Sequence, residues 1–198
     1  MVLKSFYGDA LGFFGGVRIP ASFLAGSSLG AIFLLKNKAF HLSSAEGGSM
    51  SKLERRVIKV YHLVSVLAFV LSLNTIAMTT MACTAIHHGR FNPMAETSYM
   101  LMKREFEYEF VMTRWSFLTS IFCFLGMLTS RVLIEFDLLK KDGDGKGKKK
   151  DVAMLVVCSL GALATNLLSY VNDNLYCWKS LMGMTIHLAK VCLLFAMY

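Results

Sequence analysis

Residues 60–78 read VYHLVSVLAFVLSLNTIAM, and the chain carries no Asp, Glu, Lys or Arg from residue 60 through residue 89. A helix rises about 1.5 Å per residue, so about 20 such residues cross a hydrocarbon core about 30 Å thick. The stretch is read as a membrane-spanning helix with legible ends. Lys52, Arg55, Arg56 and Lys59 precede it, Ser51 and Glu54 have capping-box spacing, and Gly89 after His87 and His88 suits a C-terminal cap. The predicted helix is about 36 residues and about 54 Å long, more than the core requires.

Working outward, a second uncharged run covers residues 152–172, and three further apolar segments bring the hydrophobic fraction to 55% with a positive mean hydropathy. In 198 residues this leaves no length for a separate soluble core. We read one all-α integral membrane domain over 1–198, a helical bundle with spans near 60–86, 110–136, 152–171 and 181–198 and an N-terminal fifth near 19–35. The fifth is preferred as a packed helix starting near Pro20, because proline fits the first helical turn. Lys4 alone precedes this apolar run, and Arg18 with Pro20 interrupts it, so no secretory signal is read. Asn92-Pro93 is a helix-start pair, and no Gly or Pro follows before Gly126, which predicts one long helix from Pro93 to about residue 139. The alternation EFEYEF at 105–110 is too short to form a sheet alone and is read as part of that helix. Arg114 and Arg131 bound its uncharged run of 16 residues and suit snorkelling to opposite membrane faces.

The net charge of +8 lies in juxtamembrane segments, not interleaved with exposed aromatics, so nucleic acid is not an expected partner. Lys36, Lys38, Lys52, Arg55, Arg56 and Lys59 precede the second span, and Lys140, Lys141, Lys146, Lys148, Lys149 and Lys150 lie between the third and fourth. The opposite face receives Lys4, Arg90, Lys103, Arg104 and Lys179, so twelve basic residues stand against five. The richer face is read as cytoplasmic or its organellar equivalent, with anionic lipid headgroups as partners of the lysine-rich loops. Trp115 and Trp178 fall at the other interface as aromatic anchors.

Candidate sites are few. Gly8, Gly12 and Gly16, and likewise Ser22, Gly26 and Gly30, recur at four-residue spacing and place two small-residue strips along a helix. Such strips admit close helix packing, against this chain, a second copy or another membrane protein. Asn74 and Asn166 are each the fifteenth residue of spans that cross in the same direction, and suit either mutual hydrogen bonding or contact with a substrate. Lys190 is a lysine inside an apparent span and needs a carboxylate or water, with Glu135 or the headgroup region as the expected destination. His62 and His187 form a histidine pair of the kind that ligates haem, but their predicted depths disagree. The DGDGKG run at 142–147 has part of a calcium-loop spacing, yet Lys140 falls at the first ligand position. Cys83, Cys123, Cys158 and Cys192 sit in apolar segments as small hydrophobes, and Cys177 lies in a loop. No catalytic triad, phosphate-cradling loop, metal set or cofactor is read. A non-enzymatic accessory subunit is the leading function, and a small transporter lined by Asn74, Asn166, His187 and Lys190 is the alternative.

The stretches GGVRIPASFLAGSSLGAIF at 15–33 and FNPMAETSYMLMKREFEYEFVMTRWSFLTSIFCFLGMLTSRVLIEFDLL at 91–139 resemble multi-pass membrane proteins of diatoms and related stramenopile algae. The resemblance implies an algal membrane protein and carries no assigned catalytic or binding residues. It makes a photosynthetic membrane one setting. The carboxylate-and-histidine pattern of chlorophyll-binding helices is absent, which leaves the organelle open.

Overall fold

The computed structural model describes residues 4–45, 52–89, 91–136, 147–174 and 181–196. In chain order these form β1 (Lys4–Ser5), α1 (Tyr7–Ala45), α2 (Lys52–His87), β2 (Met94–Ala95), α3 (Ser98–Glu105), α4 (Glu107–Glu135), α5 (Gly147–Asn174) and α6 (Leu181–Ala196). Four stretches are long and apolar enough to cross a membrane: Tyr7–Phe33, Arg55–His87, Glu107–Glu135 and Asp151–Ser169. The protein is an all-α, multi-pass membrane helical bundle. Its N-terminal helix is one of the four; α6 is described over 16 residues, about 24 Å, and is not among them.

α2 is the most enclosed of the four and α5 the least. The buried face of α2 has a strict four-three spacing: Tyr61, Ser65, Ala68, Ser72, Thr75, Thr79, Ala82 and Ile86 are each 0% exposed. A 3.5-residue repeat keeps one seam facing its neighbours along a gently supercoiled pair. α1 answers with Ala10, Phe14, Ala21, Leu24, Ser28 and Ala31, all buried at the same spacing. Apolar attraction alone does not drive helices together in lipid, so small side chains that admit close contact matter more. The hydroxyls of the α2 side are paired: Ser65, Ser72, Thr75 and Thr79 each donate to the carbonyl four residues earlier, at 2.7–2.9 Å.

Two contacts fix each register. The Tyr61 hydroxyl donates to the Ala31 carbonyl at 2.9 Å, and the Tyr7 hydroxyl lies 3.5 Å from His87 Nδ1, so α1 and α2 are antiparallel. Asn74 Nδ2 donates to Ser116 Oγ at 2.8 Å, and a Cβ added at Gly126 would sit 3.6 Å from Val64. Val64 is ten residues before Asn74 and Gly126 ten after Ser116, so α2 and α4 are antiparallel too. One core cluster closes the His87 end, joining Phe14, Ile86, Leu101, Phe106 and Phe110 to Met184 and Leu188 of α6. A smaller one, Ala31, Tyr61 and Met127, lies toward the other end.

Two expectations are corrected. α1 begins at Tyr7, not near Pro20, and runs through the proline to Ala45, so Lys36 and Lys38 lie in a helix. Pro20 deprives the Gly16 carbonyl of its helical donor, but the helix continues, with Ser22 Oγ donating to the Arg18 carbonyl in the same turn at 2.9 Å. The glycine-rich first turns are held by tertiary contacts, with Phe13 against Phe110 and Phe14 against Phe106. The expected helix from Pro93 is broken twice. Asn92 Oδ1 accepts from the Met94 N–H at 3.0 Å in a local turn, β2 pairs antiparallel with β1, and Thr97 is the actual cap, accepting from the Met100 N–H. Phe106, at φ −135° and ψ 34°, then separates α3 from α4 within the EFEYEF run. α6, expected as a crossing helix over 181–198, is described over its 16 residues Leu181–Ala196, and residues 175–180 and 197–198 lie outside the described residues.

Gly89 takes φ 64° just after α2, the left-handed conformation of a C-terminal cap, and its N–H reaches the Ile86 carbonyl at 3.1 Å. Ser51, the Glu54 side chain, residues 142–146 of the DGDGKG run, Cys177 and Trp178 lie outside the described residues.

Candidate functional site

The small-residue strips predicted on α1 point away from the bundle. A Cβ added at Gly8, Gly12, Gly16, Gly26 or Gly30 would meet no atom within 4 Å among the described residues outside its own stretch of helix, and Ser22 is exposed. α1 is held by its other face, the seam from Ala10 to Ala31. Along the outward face the glycines alternate with large exposed side chains, Ile19, Phe23 and Phe33. The strips therefore form a surface of low relief between apolar knobs, unused by the described residues.

The polar residues nominated from the sequence fall into separate local pairs. Asn74 is half-buried and bonded to Ser116, while Asn166 is exposed on α5, so the two amides do not bond to each other. His187 Nε2 meets Glu107 Oε1 at 3.1 Å, tying α6 to the start of α4 beside the bond from Trp115 Nε1 to Thr185 Oγ1. Glu135 pairs with Arg131 on its own helix at 3.4 Å. Lys190 is exposed and does not reach Glu135. Its helix is anchored at Glu107 through His187, whereas Glu135 lies 28 residues along α4, about 42 Å away. The expected Lys190–Glu135 pairing is thus excluded by length, and Lys190 belongs to the Glu107 half of the bundle.

The haem geometry is absent as well. His187 sits in the helix that packs with Ile86, and His62 precedes Ile86 by 24 residues, about 36 Å along α2. Among the described residues no three His, Cys, Asp or Glu side chains gather as a metal site. Asn74, Asn166, His187 and Lys190 line no common path: two are engaged in separate bonds and two face outward.

What the sequence reading missed is the seam itself. Its signal was present as the four-three spacing of Ser, Thr and Ala through residues 61–86. Ser28 and Thr113 also pack at 0% exposure, and their hydroxyls have no partner among the described residues. Their contribution to packing is small volume. Trp115, expected as a membrane anchor, is half-buried and donates its indole N–H to the exposed Thr185 of α6. Arg114 lies 5.6 Å from the Phe110 ring centre, where its charge meets the ring face. No family model, curated protein or solved structure matches this chain.

Proposed function

We propose that the protein is a non-enzymatic membrane subunit, structural or accessory to an assembly, that packs against helices of a membrane-protein partner or of a second copy. The observation that supports this reading is the outward strip of α1, where five glycines leave open the close approach that small residues permit. The polar groups that would serve a transporter are engaged within the chain or dispersed over its surface. The setting that goes with the reading is an organelle membrane of a stramenopile alga, a plastid membrane among the candidates.

Gly26→Leu is a clean test, because among the described residues its Cβ meets no atom outside its own stretch of helix. Gly161→Leu on α5 is the control, open in the same way but off the strip. Native membranes are solubilised in mild detergent, separated by size, and the co-migrating proteins identified by mass spectrometry. The wild-type and control proteins should run in one assembly, and Gly26→Leu should be released from it. A wild-type protein that runs alone, or a Gly26→Leu variant that stays assembled, would refute the proposal.

A further inference from the structure

The end of the bundle opposite His87 carries a group of cations that packing does not use. Gly126 faces Val64, so five residues further along α4 Arg131 comes level with Lys59, and Glu135 with about Arg55. Arg55, Arg56 and Lys59 are all exposed and lie within about 6 Å along the axis of α2. The charge-free run begins at the next residue, Val60. These cations therefore occupy the depth at which lipid phosphates sit over a hydrocarbon core.

Among the described residues no carboxylate neutralises them. At this level of α4 the carboxylate among the described residues is Glu135, and it pairs with Arg131 on the same helix. Asp151, at the start of the α5 span, is exposed and also forms no ion pair with them. Among the described residues no ion pair engages Arg55, Arg56 or Lys59. Behind them Tyr61 is fully buried with its hydroxyl given to Ala31, so this turn of α2 is fixed and the cations have a firm base. Guanidinium groups match phosphate oxygens in a two-pronged hydrogen-bond geometry that a lone ammonium lacks.

We infer that Arg55, Arg56 and Lys59 bind the phosphate of an anionic membrane lipid at the α2–α4 end. The inference is independent of the accessory-subunit reading. A purely topogenic role would need these charges during insertion and would hold no lipid afterwards.

The test uses the full-length protein, delipidated and placed in nanodiscs of phosphatidylcholine with or without one-fifth phosphatidylglycerol, with retained lipid counted by native mass spectrometry. The wild-type protein should retain phosphatidylglycerol selectively, and the preference should weaken as salt rises. At about fivefold per side chain, Arg55→Gln with Arg56→Gln and Lys59→Gln should lower the preference about a hundredfold. Glu135→Gln should raise it, because Arg131 loses its carboxylate. If the triple variant fails to fold, Arg56→Gln alone and Glu135→Gln still give opposite shifts. Equal retention of both lipids, or an unchanged preference in the variants, would overturn the inference. Inorganic phosphate displacing the lipid at millimolar concentration would reassign the site to a soluble anion and overturn it too.

Discussion

Ala68→Leu probes the seam near the middle of α2. Ala68 is 0% exposed. Counting seven residues from the Tyr61–Ala31 bond brings Leu24 of α1 level with it, and four from the Val64–Gly126 contact brings Phe122 of α4 level. Leucine adds three carbon atoms where three helices converge. Overpacking a close-packed site costs about 1–3 kcal/mol. In a water-soluble protein the extra apolar area would offset part of this, but the separated helix in lipid is already in an apolar medium. We therefore expect a loss near the upper limit, about 2–3 kcal/mol. Val70→Leu, on the exposed face of α2, should change stability by no more than about 0.5 kcal/mol. Unfolding of both variants by denaturing detergent from mixed micelles, followed by circular dichroism and by tryptophan fluorescence, gives the comparison. Equal midpoints would refute the claim that small volume at these positions holds α1, α2 and α4 together.

Three further outcomes follow from individual contacts. Asn74→Ala and Ser116→Ala should be non-additive, with a coupling of about 0.6 and at most about 1.7 kcal/mol in a double-mutant cycle; strict additivity would remove the 2.8 Å bond from the account. Gly89→Ala forces a side chain into φ 64° and should cost about 1–2 kcal/mol, with Gly89→Asn milder, as measured by the same detergent titration. Tyr61→Phe should cost about 0.5–1.5 kcal/mol by losing the bond to Ala31, and an unchanged stability would show that the bond contributes nothing net.

The fold was legible where a physical constraint acts locally. The charge-free run of α2 and the glycine after it mark a helix of the observed length, ending at His87, because bilayer thickness and left-handed backbone each leave a direct trace in residue type. The start of α1 was not legible. Glycine and proline propensities predicted a later beginning, and contacts from Phe13 and Phe14 to residues nearly a hundred positions away overrode them. Asn92-Pro93 reads as a helix start, but the pairing of β1 with β2 keeps the next residues extended and leaves Thr97 as the cap. The α2 seam escaped notice because Ser, Thr and Ala are neither strongly apolar nor chemically suggestive, and their meaning lies in spacing. The strips on α1 were found as residues, but the face they occupy depends on which side the seam takes.

The account rests on α2 and α4 crossing the membrane in opposite directions, and site-directed labelling tests it most directly. Single cysteines are introduced as Gly48→Cys, Gly143→Cys or Glu96→Cys into a cysteine-free background, with native Cys177 restored alone as a fourth reporter. A membrane-impermeant maleimide should modify positions 48 and 143 from one side of sealed vesicles, and 96 and 177 from the other, because basic residues are concentrated around the first pair. Modification of 48 and 96 from the same side would contradict the account, since α2 would then not cross.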